Sequence, residues 1–255
     1  GLKIIDNYVR ALTKKIQCKV NEVLVSSTGV IGEKFNPNLI SNKFEKLNSK
    51  SKNDLIDAAK SIMTTDTFAK VSIKKIKLDR QSFKIYGIAK GSGMIQPNMG
   101  TMLVYIFLEC EVSNKIMNRL LKNNLDNTFN SITVDSDTST SDTLMMFSVG
   151  NKIINLSKKN FKILNNQVYE LMHDLSLQVI KDGEGVSKLI RVNVLNSRTK
   201  NQAKKIGFSI ANSPLVKTAI AGEDANWGRV IMAIGKTEEN IYQNKIKVLF
   251  GNNIV

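Results

Sequence analysis

A threonine that follows a glycine-rich bend and heads an apolar strand is the most chemically pointed feature of this chain. Gly91-Ser92-Gly93-Met94-Ile95-Gln96-Pro97-Asn98-Met99-Gly100 leads into Thr101, and Met102-Leu103-Val104-Tyr105-Ile106-Phe107-Leu108 reads as a buried strand. Cutting the peptide bond between Gly100 and Thr101 would leave a free α-amine on the residue that carries the hydroxyl. Such an amine has an ordinary pKa of about 7.7–8.0, near the value wanted of a general base at neutral pH. A hydroxyl served by its own terminal amine is an activated nucleophile. The plain alternative is a β-branched residue that simply suits the start of a strand.

Other groups could serve such a nucleophile. Ser27-Thr28-Gly29-Val30-Ile31-Gly32 ends an expected strand; Thr28 and Gly29 could point a hydroxyl or N–H at a developing oxyanion, or could form an ordinary tight turn. Lys90, beside Gly91 and Gly93, could hold a carboxylate or phosphate, although no Walker pattern is present. Glu184, between Gly183 and Gly185 after a long helix, could grip a cation or merely lie in a helix-ending turn. Asp135, Asp137 and Asp142 alternate with Ser and Thr, but the glycine and terminal glutamate of an EF-hand loop are missing. That pattern is expected to make a self-capped structural loop near the site, with no metal. His173, the only histidine, sits among Leu171, Met172 and Leu175 and reads as a packed helix residue.

The elements that must position these groups alternate helix and strand. Helices are expected over 2–17, 38–48, 53–63, 114–129, 160–180, 199–211 and 226–234. Strands are expected near 22–26, 68–77, 83–89, from Thr101, over 144–149, near 189–196 and over 246–250. This order predicts an α/β (layered α+β) architecture.

With 255 residues, 42% of them hydrophobic, the chain can bury a full core. No apolar run is long enough for a transmembrane helix, and no signal peptide is visible, so no membrane association and a cytoplasmic location are expected. Cys18 and Cys110 suggest neither a disulfide framework nor a metal site. The net charge of +15 invites a nucleic-acid reading, but only six of the 37 basic residues are arginines, and aromatics do not interleave with them. A solvated lysine surface without a nucleic-acid partner is expected instead. Gly1 opens directly on a helical pattern without an initiator Met, and 246–250 reads as a strand with no closing element. Both suggest a piece of a longer protein that lacks its two ends.

Taken in order, the motifs identify a resemblance to the ornithine acetyltransferase (glutamate N-acetyltransferase) family of arginine biosynthesis. They are Ser27-Thr28-Gly29-Val30-Ile31-Gly32, Thr64-Thr65-Asp66-Thr67, Gly87-Ile88-Ala89-Lys90-Gly91-Ser92-Gly93-Met94-Ile95 and Pro97-Asn98-Met99-Gly100-Thr101-Met102-Leu103. They continue with Asn130-Ser131-Ile132-Thr133-Val134-Asp135, Asp137-Thr138-Ser139-Thr140, Asp182-Gly183-Glu184-Gly185, Ser213-Pro214-Leu215-Val216-Lys217-Thr218-Ala219 and Asn226-Trp227-Gly228-Arg229.

The resemblance implies a self-cleaving N-terminal-threonine-nucleophile acyltransferase with stacked sheets flanked by helices. Cleavage between Gly100 and Thr101 would divide it into an alpha-subunit portion, 1–100, and a beta-subunit portion, 101–255, associated as a heterotetramer of two alpha and two beta chains. It implies Thr101 as nucleophile, Thr28 and Gly29 as oxyanion hole, and Thr67, Lys90, Thr101 and Glu184 as substrate-binding residues. It further implies ping-pong transfer of acetyl from N-acetylornithine to glutamate without cofactor or metal. Use of acetyl-CoA as a donor is left open. The alternatives are a self-processing aminopeptidase or amidase with water as acceptor, and, in another class, a basic nucleic-acid-binding protein. The chain departs from the family pattern at Gly100 (usually Ala), Ser136 (usually Gly), Ala225 (usually Pro) and Glu109-Cys110, where an acidic residue and Ala are usual; none of these removes a named catalytic group.

Overall fold

Alternation over 83–87 of the second strand, giving way to burial of both faces from Gly87 to Lys90, shows how the sequence builds its core. Phe83, Ile85, Gly87 and Ala89 face one way and are buried, while Lys84 and Tyr86 face the other. The computed structural model describes residues 2–33, 36–46, 54–96, 102–139 and 141–254. Gly100 and Thr101, the expected cleavage site and nucleophile, lie outside the described residues.

In chain order the helices are α1 (Leu2–Ile16), α2 (Asn38–Ser41), α3 (Leu55–Ser61), α4 (Asn114–Leu125), α5 (Lys158–Lys181), α6 (Lys200–Ala211), α7 (Pro214–Ala221) and α8 (Trp227–Gly235). The strands are β1 (Lys70–Leu78), β2 (Gln81–Lys90), β3 (Leu103–Leu108), β4 (Thr143–Ser148), β5 (Leu249–Phe250) and β6 (Asn253–Ile254). The first four strands form one sheet in the order β1-β2-β3-β4; the last two form a separate ribbon. The β1–β2 and β2–β3 pairs are antiparallel. β3 and β4 run parallel, and α4 supplies the crossover that a parallel pair needs.

The long helix α5 covers β1 and β2. Leu164, Val168, Leu171, Leu175 and Val179 are fully buried along its inner face, each contributing about 1.5–3 kcal/mol of transfer free energy. Gly87 permits the approach: a Cβ there would lie 2.7 Å from both Leu171 Cδ2 and Leu175 Cδ1. β1 is an edge strand, and α5 blunts that edge. Gln178 accepts from Val71 N–H at 3.0 Å and donates to Val71 C=O at 3.0 Å, as a neighbouring strand would.

Two smaller apolar clusters flank this core. One joins Ile206, Ile210, Val216 and Ala233 of α6, α7 and α8; the other joins Tyr8, Val9 and Phe44. The α6–α7 region is tied to the main body by Lys217 Nζ on Val134 C=O (2.6 Å) and by Thr133 Oγ1 donating to Asn212 Oδ1 (2.7 Å).

The mixed helix-and-sheet architecture is as expected, but three local expectations need correction. Residues 22–26 form no paired strand: Glu22 closes a 3-10 turn, Val20–Glu22, and Val23 and Val25 pack on the cluster of Tyr8, Val9 and Phe44. Residues 189–196 likewise form no paired strand: Val192 and Val194 pack on the α6–α8 cluster, and Asn196 turns through φ 58°. The helix expected over 38–48 is only the short α2 followed by a 3-10 turn, Phe44–Lys46. Helix α7 was not expected, although Ser213 caps it by accepting from Val216 N–H (3.4 Å) and Pro214 occupies its first turn.

Candidate active site

Three turns converge on the bend that follows β2. The first is 64–67, before β1. Thr64 Oγ1 accepts from Lys90 Nζ at 3.0 Å, and Thr65 Oγ1 pairs with Ser92 Oγ at 2.5 Å. Asp66 accepts from Gly91 N–H at 2.7 Å and from Thr64 N–H at 3.0 Å. The second is the end of α5. Asp182 accepts from the N–H and hydroxyl of Thr67, and Glu184 N–H donates to Ser92 C=O at 2.9 Å. The third is the polar loop after α4, where Asp135 accepts from Met94 N–H (2.5 Å), Ile95 N–H (3.0 Å) and its own loop's Asp137 N–H (3.0 Å).

A buried ion cluster locks the first two turns together. Lys70 Nζ lies 2.5 Å from Asp66 Oδ1 and 2.6 Å from Asp182 Oδ2, with the lysine side chain wholly buried. Burial alone would raise the pKa of both carboxyls. For Asp66 the hydrogen bonds from Lys70, Gly91 and Thr64 outweigh it, and for Asp182 those from Lys70 and Thr67 do, so both are held below the ordinary aspartate value.

Lys90 stands beside this cluster and is itself buried, at 2% exposure. Among the described residues its ammonium has no carboxylate partner, only the Thr64 hydroxyl. Burial pushes its pKa below the ordinary lysine value; Asp66 opposes that shift and Lys70 adds to it. A buried cation without a counter-charge is costly, and such a group is suited to an anionic ligand.

Glu184 is set by glycines on both sides. A Cβ on Gly183 would meet Val134 Cγ1 at 3.0 Å, and Gly185 turns through φ 68°. Its carboxylate lies over Gly93, where a Cβ would be 2.8 Å from Oε1. A cleft of about 560 Å³ opens beside Glu184, walled by Val134, Ile180, Lys188 and Lys217.

The structure therefore gathers Thr67, Lys90 and Glu184 around residues 90–95, which lead toward Thr101. Among the described residues no contact brings Thr28 or Gly29 to these turns; their neighbour Ser26 is what touches the sheet. Ser26 Oγ is hydrogen-bonded to Tyr105 OH of β3, and the space beside Gly29 is open. His173 stacks on Tyr169 along α5, with ring centroids 5.6 Å apart, outside these three turns. Cys110 is buried, and burial pushes its thiol up to about 11, which leaves it unreactive as a thiolate. Among the described residues no cluster of His, Cys, Asp and Glu is arranged to hold a metal ion, and no helix is long and apolar enough to cross a membrane.

Sequence reasoning missed Asp66, Lys70 and Asp182 as a unit, and it missed the contact of Asp142 with Met102 N–H (2.9 Å). Asp66 and Asp182 do lie inside motifs quoted above, but nothing in their spacing points to a shared lysine.

The fold is that of an α/β protein with a layered sheet and a glycine-bend site at the end of β2. The chain belongs to the ArgJ family, whose model matches residues 1–255. It is 43% identical over 258 residues to the arginine biosynthesis bifunctional protein ArgJ of Bartonella henselae, covering 99% of this chain and 63% of that protein. The same-named protein of Nitrobacter winogradskyi is 45% identical over 245 residues, covering 93% and 59%. A crystal structure of the Bacillus halodurans arginine biosynthesis bifunctional protein ArgJ superposes with a TM-score of 0.54 at 34% identity. The match covers 57% of this chain and 70% of that one. The chain thus spans about 63% of the length of its Bartonella henselae relative.

Proposed function

We propose that the full protein is a self-processing glutamate N-acetyltransferase. The observation that carries this reading is the convergence of Lys90, Glu184 and the Thr67 turn on the bend leading to Thr101, in a chain of the ArgJ family. Thr101 Oγ attacks the Gly100 carbonyl carbon, the Gly100–Thr101 C–N bond breaks, and the hydroxyl proton ends on the nitrogen. Water hydrolyses the resulting ester, freeing the Gly100 carboxylate and restoring the Thr101 hydroxyl beside its own α-amine. Portions 1–100 and 101–255 stay associated, two of each per assembled enzyme.

In turnover the Thr101 amine takes the hydroxyl proton as Oγ attacks the acetyl carbonyl of N-acetylornithine. Thr28 and Gly29 stabilise the oxyanion, an effect worth about 2.7–4 kcal/mol per donor. Ornithine leaves with the proton, and the amine of glutamate then attacks acetyl-Thr101 to give N-acetylglutamate. Lys90, buried and without a carboxylate partner among the described residues, takes a substrate carboxylate; Glu184, over Gly93 at the cleft, takes the ornithine ammonium. Acyl passes from amide to ester to amide, so neither ATP nor a metal enters the balance. The word bifunctional in the relatives' names supports testing acetyl-CoA as a second donor.

The test is to feed N-acetylornithine labelled in the acetyl group, with and without glutamate. The expected result is label on N-acetylglutamate and, when glutamate is withheld, one acetyl group retained on Thr101. Free acetate at the same rate with or without glutamate would point to the amidase reading instead.

A further inference from the structure

Buried charges meet where β1 begins and β2 ends, and they are shared unevenly. Asp66 and Asp182 supply two carboxylates, and Lys70 and Lys90 supply two ammonium groups. Both carboxylates go to Lys70, whose Nζ lies 2.5 Å from Asp66 Oδ1 and 2.6 Å from Asp182 Oδ2. The remaining donor of this ammonium faces Phe68 C=O at 3.4 Å, with the centroid of the Phe68 ring 4.8 Å away. Among the described residues Lys90 has the Thr64 hydroxyl, at 3.0 Å, and no carboxylate. One carboxylate to each lysine would spare the cost of a buried cation without a counter-charge, so the uneven sharing needs a reason.

Asp66 is the carboxylate beside Lys90. The antiparallel register sets Lys70 opposite Ala89, the residue before Lys90. Gly91, the residue after Lys90, donates its N–H to Asp66 Oδ1 at 2.7 Å. Thr64 links the two side chains: its N–H donates to Asp66 Oδ2 at 3.0 Å, and its Oγ1 accepts from Lys90 Nζ at 3.0 Å. Asp182 is tied instead to Thr67, whose N–H and hydroxyl it accepts. Asp66 is thus anchored to the turn that carries Lys90, yet the cation it touches is Lys70.

We propose that Lys70 is a positioning residue for Lys90: it engages Asp66, so that Asp66 does not pair with the Lys90 ammonium, which is left open to the carboxylate of an amino-acid substrate. The proposal rests on the reading of Lys90 as the group that takes a substrate carboxylate. Lys70 is wholly buried among its own partners and touches no substrate. It acts on binding alone. A Lys90 already paired with Asp66 would have to break that pair to accept a substrate carboxylate. Loss of a hydrogen bond to a charged group costs about ten- to hundredfold in binding, and it should appear in KM and not in kcat.

The test compares two double variants of the full-length protein that carry the same net charge, Lys70→Met/Asp182→Asn and Lys70→Met/Asp66→Asn. Asp182→Asn, Lys90→Met and wild type run beside them, with melting temperature measured on each. Each double variant loses Lys70 and one of its two carboxylates, so a merely structural role for Lys70 would move both alike. In the variant that keeps Asp66, Lys90 becomes the counter-ion. That protein should fold, and its KM for N-acetylornithine should rise at least about tenfold with kcat within about threefold of wild type. In the variant that keeps Asp182, KM should stay within about threefold of wild type. Should that variant not fold, the triple variant Lys70→Met/Asp66→Asn/Asp182→Asn, which leaves no carboxylate in the cluster, carries the same expectation. Asp182→Asn alone should also keep KM within about threefold. Equal KM in the two double variants overturns the proposal. So does a rise of about tenfold in Asp182→Asn alone, or a Lys70→Met/Asp182→Asn variant that does not fold. Lys90→Met tells the failures apart. A raised KM there without a split between the double variants overturns the role of Lys70 only; a wild-type KM there sinks the reading of Lys90 and this proposal with it.

Discussion

The Glu184 carboxylate occupies the space that a side chain on Gly93 would need: a Cβ there would lie 2.8 Å from Glu184 Oε1. The obstructing group is the far end of a flexible side chain. Gly93→Ala should therefore displace the carboxylate at little cost to folding. If Glu184 holds the ornithine ammonium, KM for N-acetylornithine should rise about tenfold, the equivalent of about 1.4 kcal/mol. The melting temperature should stay within a few degrees of wild type. Steady-state kinetics and calorimetry on the one variant check both halves.

Lys90 is buried and pairs, among the described residues, with the Thr64 hydroxyl and no carboxylate. Lys90→Met should weaken substrate binding by about 1.5–3 kcal/mol, roughly a ten- to hundredfold rise in KM. Stability should hold or improve, because a buried cation whose direct partner among the described residues is only a hydroxyl is replaced by an apolar chain. The sign with pH follows from burial holding the lysine below its ordinary value. Between that depressed value and the ordinary lysine pKa of about 10.4, the unfolded chain binds more protons, so wild-type stability gains with rising pH. Urea titrations from neutral to alkaline pH should show this gain in wild type and not in the methionine variant.

The Lys70–Asp66–Asp182 cluster is structural in its first effect and functional in its second. Lys70→Met strips the cation from two buried carboxylates, which should cost about 3–5 kcal/mol. Both carboxyls are held below the ordinary aspartate value. Their contribution is therefore present above about pH 3.9 and lost as pH falls through the depressed folded values. A pH series of denaturation curves should show the acid loss in wild type shrink in an Asp182→Asn variant.

Asp142 shows the opposite linkage. Burial raises its pKa to about 6, with the Met102 N–H acting the other way. Protons are bound more tightly in the folded state, so its contribution is present below about pH 4 and lost as pH rises through about 6. Asp142→Asn should therefore gain on wild type in melting temperature between pH 4 and pH 7. An unchanged difference across that interval would count against a raised pKa.

Much of the scaffold was legible because its signals are local. The apolar face of α5, the cap residue Asp54 on α3 and the alternation along β2 each appear within a few residues of sequence. Residues 22–26 and 189–196 misled for a physical reason: an apolar pattern reports a buried side, not a hydrogen-bonding neighbour. Val23 and Val192 have the buried side without the neighbour. Lys90 and Glu184 could be singled out because glycines mark where the backbone bends. The links Lys70–Asp182 and Met102–Asp142 span 112 and 40 residues, and no local pattern encodes such pairs. Ser213-Pro214 is a helix start of the readable kind, yet α7 went unexpected.

Self-cleavage would make Thr101 a chain terminus, which intact mass under denaturing conditions on full-length protein reads out, wild type beside Thr101→Ala. Wild type should give two polypeptides, the second beginning at Thr101, and the variant a single unbroken chain. An active wild-type protein that remains one polypeptide across Gly100–Thr101 would rule out a self-freed nucleophile.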